Sequence, residues 1–208
     1  DLLQKLSEQV PGVIYQYQQW PDGRSCFPYA SIGIREIYEV TPEEVRKSAE
    51  TVFRRLHPED IDRVAASIRH SQETMERWSC EYRVCLPQRG IRWLDGQSVP
   101  ERLPDGSTIW HGNIRDVTER KLAEEALQLK DTAIATSINA IAIADVEGRL
   151  SYVNRSFLHM WGYESDNEVL CRLPQEFFEQ PDLVNEAIQN TFINGSWLGE
   201  LRGVRRDG

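Results

Sequence analysis

Two tandem copies of an α+β fold are what this sequence predicts, and three observations carry the prediction. Between residues 13 and 117 the apolar spacing gives two strands, several helices and then three strands. The same text then repeats, at an offset that drifts from about 125 to about 119 residues. The segment from Arg115 to Asp131, which reads as a strand end running into a charged helix, joins the two copies. A chain of 208 residues has room for two small domains with cores of their own.

Leu2, Leu3, Leu6 and Val10 mark a short amphipathic helix that stops at Pro11-Gly12. The strand from Val13 to Trp20 points Val13, Tyr15 and Tyr17 inward. The turn Pro21-Asp22-Gly23-Arg24 returns the chain to a second strand with Phe27 and Tyr29 on its inner face. Thr41-Pro42-Glu43-Glu44 supplies a capping Thr, a Pro at the first helical position and a Glu at the third, which opens a helix. His57-Pro58-Glu59-Asp60 opens a longer one, predicted to bury Ile61, Val64, Ala65 and Ile68. Three strands follow. Trp78, Cys80, Tyr82 and Val84 share one face of the first; the second runs from Ile91 to Val99; the third, Thr108 to Val117, sets Trp110, Gly112 and Ile114 against His111, Asn113 and Arg115.

Thr118 is placed to cap the helix that follows, accepting a bond from a first-turn amide, with Glu119 at the positive end of the helix dipole. Leu122, Ala126, Leu129 and Ala133 recur at spacings of four, three and four, a narrow apolar seam on a charged rod. Such a seam either pairs with a second helix, making Leu122, Ala126 and Leu129 a dimer contact, or lies solvated on its own domain. Leu2, Leu3 and Leu6 offer a second dimerisation surface.

In the repeat, Glu147-Gly148 echoes Asp22-Gly23, Ser165-Asp166-Asn167-Glu168-Val169 echoes the capped Thr41 segment, and Trp197-Leu198-Gly199-Glu200-Leu201-Arg202 echoes Trp78 to Arg83. Gly208 corresponds to Gly90, so the second copy lacks counterparts of its last two strands. Unpaired backbone groups would then leave it less stable than the first, or completed by another molecule.

Composition narrows the function classes. A net charge of -9 without a basic cluster argues against a nucleic-acid backbone or an anionic membrane as partner. No apolar run approaches the roughly 18 residues of a membrane span, and Asp1-Leu2-Leu3-Gln4-Lys5 is not a signal peptide. With Asp1 rather than Met at its start, the chain is expected to be a piece of a longer one. Cys26, Cys80, Cys85 and Cys171 lack metal-ligand spacing and read as reduced structural thiols, which fits the cytoplasm. There is no nucleophile paired with a base, no Gly-rich phosphate loop and no metal-binding carboxylate set, so this stretch is not expected to be an enzyme. Glu43-Glu44 and Glu124-Glu125 are helix charges rather than an acid/base pair.

These motifs resemble the PAS sensory domains, twice over. In the first copy the resemblance rests on His57-Pro58-Glu59-Asp60, Glu81-Tyr82-Arg83, Arg92-Trp93-Leu94 and the closing Asp116-Val117-Thr118-Glu119-Arg120-Lys121, which is similar to the C-terminal PAC motif. In the second it rests on Asp145 to Gly148, Tyr152-Val153-Asn154 and Trp161-Gly162-Tyr163. It implies an α+β PAS fold, a five-stranded antiparallel sheet with helices on one face, often enclosing a ligand. The expected domains are a PAS domain with its N-terminal helix over 1–118, a signalling linker helix over 119–138, and an incomplete PAS domain over 139–208. The resemblance also implies that Asp116, Thr118, Glu119 and Arg120 couple the last strand to the outgoing helix; for Thr118 a helix cap alone is the other reading.

The cofactor stays open. A flavin photoreceptor of this family needs a reactive Cys where this chain has Pro174, while Cys171 falls where the family has Gly. A haem sensor needs an inward His, and His57, His70, His111 and His159 all read as structural or solvent-facing. Tyr15, Tyr17, Tyr29, Trp78 and Tyr82 are the candidate ligand-binding residues, with core filling as the other reading. The function the resemblance implies is a sensory module of a bacterial signal-transduction protein, as a homodimer. It would detect a small ligand or partner and relay the change to a C-terminal output domain of histidine kinase or diguanylate cyclase type. The motifs of neither output are in this chain. The alternative is a ligand-free dimerisation scaffold.

Overall fold

The computed structural model describes residues 11–207, so the helix expected over Leu2, Leu3, Leu6 and Val10, and any dimer contact it makes, lie outside the described residues. Contacts divide the chain into two units, Asp1–Glu124 and Glu125–Gly208.

In the first unit, β1 (Val13–Gln19) and β2 (Ser25–Ala30) form the expected hairpin. Three short helices follow: α1 (Ile34–Tyr38), α2 (Pro42–Lys47) and α3 (Glu50–Phe53). Thr41 and Glu44 exchange the reciprocal caps that open α2, at 3.2 and 2.7 Å. A 3-10 turn at Pro58–Asp60 leads into α4 (Ile61–Thr74). β3 (Trp78–Leu86), β4 (Gly90–Arg102) and β5 (Thr108–Asp116) complete an antiparallel sheet of five strands in the order β2-β1-β5-β4-β3. Its inner face carries Val13, Tyr15, Tyr17, Tyr82, Val84, Leu94, Trp110 and Ile114, all buried in one core with residues of α1 to α4.

Two expectations fail here, each for a physical reason. Tyr29 is not inward. The β1–β2 register pairs Gln16 with Tyr29 but Gln18 with Cys26, so β2 carries one extra residue. That bulge resets the alternation, keeping Phe27 buried and turning Tyr29 outward at 37% exposure. On α4, Ile61 is 44% exposed and Ala65 is also at the surface. The inner face instead runs through Val64, Ser67, Ile68 and Ser71, because two serines answer indoles: Trp78 Nε1 donates to Ser67 Oγ at 2.9 Å and Trp110 Nε1 to Ser71 Oγ at 3.0 Å. A search for apolar periodicity passes over serines. His70 is exposed and faces Glu76 at 3.6 Å.

The long helix α5 (Thr118–Thr136) contains the boundary between the units. The second unit then has a short hairpin, β6 (Ala142–Ala144) and β7 (Leu150–Val153), followed by α6 (Arg155–Trp161) and α7 (Pro181–Asn194). Leu150, Val153, Phe157, Val169 and Phe177 make its core. Asn154, 1% exposed, organises this unit. Its Oδ1 accepts from the amides of Ile141 and Phe157, and its Nδ2 donates to the carbonyls of Ile134 and Asn139. All four bonding positions of the amide are thus used. Ser165 and Glu168 cap a single 3-10 turn, Asp166–Glu168, rather than a helix like α2.

The segment Trp197 to Arg202, which echoes β3, forms no strand; Gly203 makes one isolated bridge to Phe178. In the first unit, among the described residues, β3 pairs with β4 as its only sheet neighbour. Among the described residues the second unit has no counterpart of β4, so the echo has no ladder to join. No helix of the described residues is long and apolar enough to cross a membrane.

Candidate functional site

The inward alternation of β1, β3 and β5 brings large rings together faster than it fills the space between them. What remains is a cavity of about 40 Å³ between sheet and helices. Tyr15, Tyr17, Trp78, Tyr82, Trp110 and Ser98 wall it on the sheet side; Tyr38, Phe53, Val64 and Ile68 wall it on the helical side. Tyr17 meets the rings of Phe27, Trp110 and Phe53 at 5.2, 5.4 and 5.8 Å. A water needs roughly 10–15 Å³ of such volume. Two or three waters fit, whereas sites for drug-sized ligands run to about 300–1,000 Å³.

The polar atoms of this cavity are mostly answered within it. The Tyr38 and Tyr82 hydroxyls bond each other at 2.5 Å, and the two indoles are taken by Ser67 and Ser71. Burial pushes the Tyr15, Tyr17, Tyr38 and Tyr82 phenols above their ordinary value, so all four are neutral. At Tyr15 the nearby Ser98 hydroxyl, itself buried, partly offsets this.

On the opposite face of the same strands lies a polar cluster. Tyr82 points into the cavity, and its chain neighbours Glu81 and Arg83 point out of it. Arg83 grips Asp60 with its backbone amide at 2.8 Å, Nε at 3.1 Å and Nη2 at 2.8 Å, and also reaches Glu59 at 2.9 Å. The hydrogen bonds from Arg83 hold the buried Asp60 carboxyl well below the usual range, and those to Asp60 and Glu59 raise the Arg83 guanidinium. Arg83 and Lys121 both lie over the Trp93 ring, at 5.5 and 5.4 Å. Glu81 receives Lys121 at 2.6 Å and Arg120, and these two cations lower its carboxyl. The start of α4, β3, β4 and the first turn of α5 are therefore linked by charged groups.

At the junction itself Thr118 does not cap its own helix. Its Oγ1 accepts from the Trp93 amide of β4 at 2.9 Å and donates to Asp116 Oδ1, while the Val117 amide donates to the Trp93 carbonyl at 2.8 Å. Thr118 thus adds one side-chain rung to the β4–β5 ladder, and Asp116 takes the cap, accepting from the Thr118 amide at 2.9 Å. Position alone suggested a cap; only the register of β4 puts an unpaired amide beside the hydroxyl.

Of the predicted ligand residues, Tyr15, Tyr17, Trp78 and Tyr82 line the cavity and Tyr29 does not. Phe27, Tyr38, Ser98 and Trp110 line it as well. Trp110 had a readable signal, since it shares the parity of Ile114; Tyr38 lies on a one-turn helix too short for periodicity, and Ser98 is polar on an inward position. Of the predicted relay residues, Asp116, Thr118 and Arg120 lie in the cluster, and Glu119 is exposed in the first turn. Leu122 and Leu129 are 56% and 71% exposed, and Ala126 is exposed with them. Among the described residues no His, Cys, Asp and Glu are grouped to hold a metal ion.

A family model described as the PAS fold matches residues 27–114, and one described as the PAS domain matches residues 128–197. Among curated proteins, the chain is 27% identical over 108 residues to a methyl sulfide methyltransferase-associated sensor of Methanosarcina acetivorans, covering 51% of this chain and 11% of that protein. It is 30% identical over 74 residues to an uncharacterized protein of Sinorhizobium fredii, covering 35% of this chain and 9% of that one. The chain spans about a tenth of the length of these relatives. Similar solved structures include a sensory box histidine kinase/response regulator from Burkholderia thailandensis, with a TM-score of 0.44 and 23% identity over 57% of this chain and 88% of that one. Another is the N-terminal domain of a diguanylate cyclase with PAS/PAC sensor from Marinobacter aquaeolei, with a TM-score of 0.43 and 20% identity over 52% of this chain and 98% of that one. The two matched stretches lie one after the other, one running from β2 into β5 of the first unit and the other on the second unit, and the chain belongs to the PAS family, with two PAS domains in tandem.

Proposed function

We propose that the first PAS domain is a sensor that takes a small ligand into its aromatic cavity and passes the change through α5 to an output domain of kinase or cyclase type elsewhere in the polypeptide, in the cytoplasm. The observation that carries this reading is the two-faced segment of β3. Tyr82 walls the cavity, and the adjacent Glu81 and Arg83 hold Arg120, Lys121 and Asp60. A ligand that displaces Tyr82 strains the backbone on which those ion pairs stand, and so favours one of two arrangements of the first turn of α5. It shifts that balance only by its differential affinity for the two. Asp116, Thr118 and Arg120 are the relay, with Glu119 tuning the helix start through the dipole. The sensor name of the Methanosarcina relative supports this reading.

Native mass spectrometry of the purified chain, with its absorption spectrum, tests the sensing half: mass beyond the polypeptide is expected, and a ligand-free chain that binds nothing in a small-molecule screen would sink it. Thr118→Val tests the relay. It keeps the shape and removes the acceptor of the Trp93 amide, so about 1–3 kcal/mol of local stability is expected to go. Amide exchange at Trp93 should rise at least about fivefold. No change at Trp93 would leave Thr118 without a relay role.

The volume of about 40 Å³ favours a second reading, a ligand-free scaffold that holds the output domains of a homodimer at a fixed geometry. Its contact would be the exposed seam of Leu122, Ala126 and Leu129. Sedimentation of Leu122→Lys and Leu129→Lys is expected to give monomer; an unchanged dimer would remove the seam from the interface.

A further inference from the structure

The helical wall of the cavity has a charged outlet of its own. Tyr38, on that wall, ends α1, and Glu39 follows it in the left-handed region at φ 53°. A non-glycine residue keeps such a backbone only where its surroundings fix it. Glu39 is fixed on both counts. Its neighbours Tyr38 and Val40 are buried, and its carboxylate accepts two consecutive backbone amides from the turn between β3 and β4, those of Gln88 at 3.0 Å and Arg89 at 3.1 Å. Pro87, the first residue of that turn, has no amide proton, so one carboxylate answers both amides that the turn presents.

The Arg89 side chain carries the connection onward. Its Nη1 donates to the Glu36 carbonyl at 2.9 Å, a helix-end carbonyl of the kind that α1 itself leaves unpaired, and lies 3.8 Å from the Glu36 carboxylate. Its Nη2 stands 3.8 Å from Asp116 Oδ2. Asp116 gives its other oxygen to the amide and hydroxyl of Thr118, at the start of α5. Arg89 is therefore seated between the end of α1 and the residue that caps α5. Neither of the two anchors, Glu39 nor Asp116, is near Arg89 in sequence; the β3–β4 turn brings them together.

Resting on the sensor reading, we infer that Glu39 and Arg89 are positioning residues that carry a displacement of the helical wall to α5, along a route separate from that of Glu81. When Tyr38 moves with α1, Glu39 takes the β3–β4 turn with it, and Arg89 changes its distance from Asp116 and so the hold of Asp116 on the first turn of α5. The Glu81 route starts from Tyr82 on the sheet side. The Tyr38 and Tyr82 hydroxyls bond each other, so the two routes share an origin in the cavity and an end in the first turn of one helix.

The test is amide exchange in the whole chain without ligand, for the parent, Arg89→Met, Glu39→Gln and the double variant. Arg89→Met leaves both turn amides on Glu39, so exchange at positions 88 and 89 should hold while that at Thr118 rises about two- to fivefold, the worth of a partly exposed ion pair. Glu39→Gln removes the charge and one acceptor, and should speed exchange at Gln88 and Arg89 and, through Arg89, at Thr118. In the double variant the turn should still be freed, yet Thr118 should exchange no faster than in Arg89→Met alone. A clamp of purely local effect would not give that non-additivity. Gly112, on the central strand β5, should keep the parent rate throughout, which separates these changes from loss of fold. If Glu39→Gln does not fold, Arg89→Met decides alone. Thr118 exchange unmoved by Arg89→Met, or raised by Glu39→Gln to the same degree with and without Arg89, would overturn the inference. No ligand takes part, so such a failure leaves the sensor reading to stand or fall by mass spectrometry.

Discussion

Asp60→Ala is expected to lower the stability of the first PAS domain by about 3 kcal/mol, the low end of the range for breaking a buried ion pair from one side. The Asp60 side chain is 7% exposed and accepts three bonds from Arg83, one of them from a backbone amide. Without it the Arg83 guanidinium, itself only 26% exposed, keeps Glu59 at the surface as its remaining anionic partner in this fork. The loss should appear in urea unfolding as a lower midpoint at unchanged slope. Asp60→Asn keeps an acceptor for the amide and should lose roughly half as much. The pH dependence has a definite sign. The folded carboxyl titrates below its ordinary value of about 3.9, so the contribution is complete above that value and is lost as pH falls further, through the folded value. The parent should therefore lose stability in acid more steeply than Asp60→Ala does. A loss under about 1 kcal/mol would mean that the fork behaves like an exposed pair, and the link from α4 to β3 would carry no mechanical weight.

Trp110→Ala is expected to have an effect of comparable or greater size, about 3–5 kcal/mol, by the usual cost of emptying an aromatic site. Trp110 is 2% exposed, packs on Tyr17 at 5.4 Å and bonds Ser71. Its loss merges a ring-sized void with the cavity already there. Indole should then restore stability, by about 2.7 kcal/mol at a hundred times its dissociation constant. Melting curves of parent and variant with and without indole check this: a rise in the variant well above that of the parent is the expected result. A variant that loses stability and ignores indole would mean that the walls collapse inward, and the cavity would be a packing defect rather than a site.

Much of the fold is legible in the sequence because its cues are local. Alternation placed Val13, Tyr15 and Tyr17, and Trp78, Cys80, Tyr82 and Val84, on the inner face without reference to any partner strand, and all seven are buried. The Thr41 capping box is complete within four residues of chain. The cavity was half legible: four of its aromatic walls follow from strand parity. Tyr29 was misplaced because a bulge is a fact about two strands at once, visible as an extra residue only when Gln16 and Gln18 are set against their partners. Ile61 and Ala65 were misplaced because the inner face of α4 is fixed by what Trp78 and Trp110 need as acceptors, and those tryptophans lie later in the chain.

The sequence by itself determined the order of the elements in the first unit, the tandem repeat and the charged helix between its copies, since each of these rests on spacing along the chain, and its motifs carried the resemblance to the PAS family. Only the tertiary structure decided that Thr118 serves β4 rather than its own helix, that Glu81 ties the far side of the cavity wall to α5, and that Arg83 ties it to the start of α4. The reason is the same in all three. A hydrogen bond or an ion pair belongs to two groups, and here the second group is brought near by strand register across separations that no local pattern encodes.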